Sequence, residues 1–182
     1  MPAAYFVSQK FTGLSIGADF LEQGAYEDCS FLECNFADAN FGGFQFTDCS
    51  FQLSLLANAT WPGTTLNNIS FEDCKLTGVS FEPCNKFLFA VRFEGCQLTL
   101  ASFYQRVLKK TSFVHCTLHE TDFTEANLTQ SLFDQCDLQG ARFEATNLEK
   151  ADFRTATNYQ IDPAINRIRK AKFSLPDVLQ LL

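Results

Sequence analysis

Residues 93–153 read FEGCQLTLASFYQRVLKKTSFVHCTLHETDFTEANLTQSLFDQCDLQGARFEATNLEKADF. Starting at Phe93, every fifth residue is Phe or Leu: Leu98, Phe103, Leu108, Phe113, Leu118, Phe123, Leu128, Phe133, Leu138, Phe143, Leu148 and Phe153. Phe and Leu occur 21 times each in 182 residues, so thirteen such hits by chance have a probability on the order of 10⁻⁸. Upstream the same step runs Phe31, Phe36, Phe41, Phe46, Phe51, Leu56, Trp61, Leu66, Phe71, Leu76 and Phe81. It slips by two residues near 83–87 and resumes at Leu88 or Phe93.

The residue two before each of these centres is almost always small, as in Cys96, Ala101, Thr111, Cys116, Thr121, Ala126, Ser131, Cys136 and Ala141; Phe44, Ile69 and Arg106 break the rule. In extended backbone residues two apart share a face, so both point inward and the residue between them points out. A period of five fits neither a helix nor a continuous strand, so the chain must turn after each short extended piece. Four such sides close a square coil of about twenty residues, each coil hydrogen-bonded to the next at roughly 4.8 Å. At that spacing Phe93, Phe113, Phe133 and Phe153 form one ladder and Leu98, Leu118 and Leu138 its neighbour. Six to seven coils make a rod of about 30 to 35 Å. A hexapeptide β-helix would drift out of register, and a leucine-rich repeat needs a longer unit.

Thr121-Asp122-Phe123-Thr124-Glu125-Ala126-Asn127-Leu128 and Ala151-Asp152-Phe153 resemble the repeating unit of pentapeptide-repeat proteins. The resemblance is firm over residues 29–153 and loose over 11–28. It implies an all-β, right-handed quadrilateral β-helix for residues 1–157, with residues 158–182 as a C-terminal helical cap. The tail NYQIDPAINRIRKAKFSLPDVLQLL is similar to one branch of that family, the microcin B17 immunity, albicidin-resistance and Qnr-type quinolone-resistance proteins. That branch implies a non-enzymatic partner of DNA gyrase or topoisomerase IV, DNA mimicry, protection against a topoisomerase-targeting antibiotic or toxin, and a homodimer. Qnr-type proteins carry longer projecting loops, whereas this chain has only the two-residue expansion.

The open ends of a solenoid need covering. Asp162 is placed to N-cap a helix with Pro163 at its first position and Ile165 and Ile168 on one face. A second short helix from Pro176 would carry Val178, Leu179, Leu181 and Leu182, with Phe173 and Leu175 between the two. These residues either fold back onto the last coil or meet a second copy across a two-fold axis.

The eight cysteines, Cys29, Cys34, Cys49, Cys74, Cys84, Cys96, Cys116 and Cys136, all fall two residues before a centre when Lys86 counts as one. That makes them small core residues, neither a disulfide scaffold nor a zinc set. His115 and His119 fall on outer corners and are expected to be solvated. No catalytic set, phosphate loop, metal site or cofactor motif is expected. The N-terminus has no signal-peptide pattern and no stretch approaches the roughly 20 apolar residues that span a bilayer, so a cytoplasmic protein without membrane contact is expected.

The net charge of −7 argues against direct nucleic-acid binding, which requires clustered Lys and Arg. Residues 1–73 carry nine acids and one base, 74–160 ten and nine, and 161–182 two and four. Candidate partner-binding rows are therefore acidic: Glu27, Asp28, Glu33, Asp38, Asp48, Glu72 and Asp73. A structural or adaptor solenoid for another protein is the competing expectation.

Overall fold

The computed structural model describes residues 4–16 and 21–174, which form one right-handed quadrilateral β-helix. The first face is a four-stranded parallel sheet of Ala4–Val7, Gly24–Glu27, Gln45–Thr47 and Thr65–Asn67. The second is seven-stranded and runs from Lys10–Thr12 through Ser30–Leu32, Ser50–Gln52, Ile69–Glu72, Val91–Glu94 and Ser112–Val114 to Leu132–Asp134. The third and fourth faces are linked by single bridges, such as Asn35 to Leu55 to Lys75 and Ser102 to Asp122 to Arg142. Pairing is in register at twenty residues, as in Phe31 to Phe51, and at twenty-two across the slip, as in Phe71 to Phe93.

The extended pieces stay short because the corners require left-handed backbone. Asp28, Asp48, Asn68, Lys110 and Lys150 all have φ between 53 and 61°. Asp and Asn tolerate this region better than other non-glycine residues, which favours them at corners. Where Ser or Thr holds the small inward position, its hydroxyl also has a task. Thr64 donates to the Phe41 carbonyl at 2.7 Å, Thr121 to Leu98 at 2.9 Å and Ser131 to Leu108 at 2.7 Å. Cys74 and Cys136 donate thiols to Phe51 and Phe113 in the same way.

The Phe and Leu sides alternate around the square. On the second face Phe11, Phe31, Phe51, Phe71, Phe93, Phe113, Phe133, Phe153 and Phe173 stack at 4.6 to 5.6 Å. The fourth face stacks Phe41, Trp61, Phe81, Phe103, Phe123 and Phe143, and the two ladders meet edge to face across the core. Offset stacks and edge contacts suit the ring quadrupole. The repeat begins earlier than the sequence indicated, since Phe6 and Phe11 already stand in register under Tyr26 and Phe31.

The tail corrects one expectation. Among the described residues there is no helix, and Asp162 and Pro163 open a turn in which the Asp162 carboxylate accepts from the Ala164 amide at 2.7 Å and its carbonyl from the Asn166 side chain at 2.9 Å. The chain instead returns to the coil register from Asn166 onward. Asn166 occupies the small inward position, donating to the Phe143 carbonyl and accepting from the Thr146 amide, and Arg167 and Lys172 bridge to Asn147 and Asp152. Tyr159 and Ile161 are buried where the strict step would put Asn158 and Pro163. Ile168 and Phe173 pack inward while Ile165 is exposed, so these residues do not share a helical face. Leu175, Val178, Leu179, Leu181 and Leu182, and with them the second helix, lie outside the described residues.

The slip is a bulge on the first face. Asn85 still holds regular register, its amide donating to the Thr64 carbonyl, and Phe89 rather than Leu88 returns to the core. Lys86, Phe87 and Leu88 project outward, with Phe87 79% exposed. Arg106, one of the three exceptions at a small position, is 2% exposed and locks this joint. Its guanidinium donates to the carbonyls of Cys84 at 3.0 Å and Asn85 at 2.8 Å and lies 4.0 Å over the Phe89 ring.

Candidate partner-binding surface

The seven acidic residues occupy corners, and six of them border the second face. Glu27, Asp28 and Asp48 line its edge with the first face, while Glu33, Glu72 and Asp73 line its edge with the third. Asp38 stands apart, on the corner between the third and fourth faces. Between the two acidic edges runs a neutral centre line of Ser30, Ser50 and Ser70, stacked coil upon coil.

What these carboxylates contact decides how much charge they present. Asp28 accepts from the Ser8 hydroxyl at 2.8 Å, Asp48 from Asn68 at 2.6 Å, Glu72 from Gln52 at 2.8 Å and Asp38 from Asn58 at 3.2 Å; Tyr5 donates to Glu27. Each donor is neutral and sits one coil away. Among the described residues the ion pairs are His119 with Asp137, Arg142 with Asp122, and Asp152 with Arg154 and Lys172, all in the C-terminal half. Five of the seven N-terminal acids are thus held by neutral donors without being neutralised. One glycine serves this surface: Gly95 has a φ of +64°, and a Cβ there would lie 2.1 Å from the Asp73 carboxylate.

The other candidates resolve into structure. All eight cysteines are buried and unbridged, and Cys74, Cys96, Cys116 and Cys136 stack on consecutive coils of the third face. Burial pushes the Cys49 and Cys84 thiols up to about 12, which removes thiolate reactivity near neutral pH. His119 is not free in solvent, because its Nε2 lies 2.7 Å from Asp137. Burial acts to raise the Asp137 pKa, but hydrogen bonds from Asn158 and His119 outweigh it and hold the carboxyl below its usual range. Among the described residues no group of three or more His, Cys, Asp or Glu could hold a metal ion, and no helix is long and apolar enough to cross a membrane.

Sequence reasoning missed the exposed Phe87; the period slip was the available signal. It also missed a basic edge in the C-terminal half, although Lys110, Lys150 and Lys170 are spaced by multiples of the coil.

Residues 86–160 match the family model described as a pentapeptide repeat region. No curated protein matches the sequence. Among solved structures the chain is similar to QnrB1, described as a plasmid-mediated fluoroquinolone resistance protein, at 16% identity and a TM-score of 0.50, covering 98% of this chain and 97% of that one. It is also similar to HetL, described as a pentapeptide repeat protein involved in heterocyst differentiation regulation from the cyanobacterium Nostoc sp. strain PCC 7120. There the identity is 15% and the TM-score 0.52, over 97% of this chain and 89% of that one. At these identities the likeness is one of fold.

Proposed function

We propose that this pentapeptide-repeat protein is a non-enzymatic binding protein that engages a type II topoisomerase, DNA gyrase or topoisomerase IV, through the acidic edges of its second face. Binding there would protect the enzyme against a topoisomerase-targeting antibiotic or toxin. The observation that carries the reading is that Asp28, Asp48 and Glu72 are held by neutral donors and that none of the ion pairs among the described residues involves the N-terminal acids. A basic surface built for DNA would meet a rigid acidic rod. The similarity of the tail to topoisomerase-protecting proteins supports the choice of enzyme, as does sharing a fold with a fluoroquinolone resistance protein.

Charge density sets the mechanism. Duplex DNA presents a charge every 1.7 Å or so, whereas corner residues recur at the coil rise of about 4.8 Å and only some are acidic. The rod therefore steers and orients a basic partner more than it copies a phosphate backbone. A homodimer formed through Phe173 and the tail beyond it is part of the same proposal. The adaptor reading rests on a different feature, the apolar knob of Phe87 and Leu88.

A supercoiling assay of gyrase with the purified protein, with and without a fluoroquinolone, tests the proposal. Inhibition or rescue is expected at micromolar protein and should weaken at least fivefold in the Asp28→Asn/Asp48→Asn/Asp73→Asn variant. No effect in either assay counts against the topoisomerase, and an effect unchanged in the variant counts against the acidic edges.

A further inference from the structure

The edge between the first and second faces changes sign along the rod. Its corners read Glu27-Asp28, Thr47-Asp48 and Asn67-Asn68 before the bulge, then Lys109-Lys110, Thr129-Gln130, Glu149-Lys150 and Arg169-Lys170 after it. The corners are equivalent by backbone as well as by count: Lys110, Gln130 and Lys150 donate their amides to Thr129, Glu149 and Arg169, as Asp28 and Asp48 do to Thr47 and Asn67. Arg167 flanks this edge on the first face, and Arg92 and Lys172 flank it on the second. All eight bases are exposed, against the half-buried acids Glu149 and Asp152. Asp152 is already engaged by Arg154 at 2.8 Å, and of the eight bases only Lys172 has an ion-pair partner among the described residues.

We propose that this C-terminal basic edge binds the phosphodiester backbone of duplex DNA. The bases form a line parallel to the rod axis, and from Lys110 to Lys170 they span three coil steps, about 14 Å. Over that length a duplex presents roughly eight phosphates on its two strands. Shallow grooves follow the same line, one lined by Arg92, Lys109 and Lys110 and another by Lys150, Lys170 and Lys172. Lysine ammonium groups on flexible stems act as point charges for phosphate, which suits contact that does not read sequence. The net charge of −7 conceals this edge because the acids lie mostly elsewhere. The inference stands apart from the topoisomerase reading, and its test contains no topoisomerase.

The test is fluorescence anisotropy of a labelled 24-base-pair duplex with the full-length protein. Micromolar binding is expected at 50 mM salt, weakening about 40- to 150-fold at 200 mM for three or four neutralised phosphates. Lys110→Glu/Lys150→Glu/Lys170→Glu should weaken binding more than tenfold. Lys10→Glu/Lys75→Glu/Lys86→Glu, with the same change in net charge off the edge, should leave it within threefold. Circular dichroism of both variants confirms that the coil is intact. No binding at 100 μM protein and 50 mM salt overturns the proposal, as does equal weakening by the two variants. Tighter binding to a poly-aspartate peptide or to phosphatidylglycerol vesicles than to the duplex also overturns it.

Discussion

Replacing Arg106 with Met should loosen the joint between the two halves of the rod. The guanidinium satisfies the Cys84 and Asn85 carbonyls at 3.0 and 2.8 Å and covers Phe89. Those carbonyls border the bulge, where Lys86 to Leu88 leave the coil. A hydrogen bond from a charged donor contributes about 1.5 to 3 kcal/mol, and the cation–π contact adds up to about 2. Against this stands the cost of burying the charge, which burial also expresses by lowering the Arg106 pKa. Met fills much of the volume and removes that cost, so the net loss should be about 2 to 4 kcal/mol, read by urea unfolding followed by far-ultraviolet circular dichroism. Hydrogen exchange should accelerate most over residues 84–92. Arg106→Lys, which can reach fewer acceptors, should fall between the two. A loss below about 0.5 kcal/mol in Arg106→Met, or exchange no faster at the joint than elsewhere, would refute the clamp.

Two further outcomes follow from single residues. Gly95→Ala should destabilise the protein by about 1 to 3 kcal/mol, since it combines left-handed backbone with a collision against Asp73; an unchanged melting temperature would contradict this. The Arg154 hydrogen bond holds the Asp152 carboxyl down at about 2. A depressed pKa stabilises the fold above the unfolded value of about 4 and loses that stabilisation as pH falls towards 2. Asp152→Asn should therefore flatten the stability profile between about pH 4 and 2, and parallel acid-unfolding curves for the two proteins would exclude the contribution.

The scaffold was legible because one signal, Phe or Leu at every fifth position, is repeated until chance cannot imitate it. Where a local signal competed with that register, the register prevailed. Asp162-Pro163 has the chemistry of a helix start, yet Asn166, Ile168, Ala171 and Phe173 keep the inward positions, and stacking on Phe143, Leu148 and Phe153 outweighs a helix that would begin on an exposed Ile165. The slip was visible, but the identity of the returning residue was not, because Leu88 and Phe89 have similar apolar character and only Arg106 on the next coil selects the ring. Charge was read as segment totals with only the acids placed in rows, which cannot show a basic stretch further along the same edge. Asp28 and Lys150 became comparable only once both were placed on the same corner.

Trp61, fully buried between Phe41 at 4.4 Å and Phe81 at 6.4 Å, lies on the N-terminal side of the Arg106 joint. As the single tryptophan of the chain it is a local optical probe of that half, while circular dichroism averages over both. In an array whose units contact only their neighbours, the two halves need not melt together. Emission and ellipticity curves that coincide in the native protein and separate in Arg106→Met would record the rod dividing into two independently melting blocks.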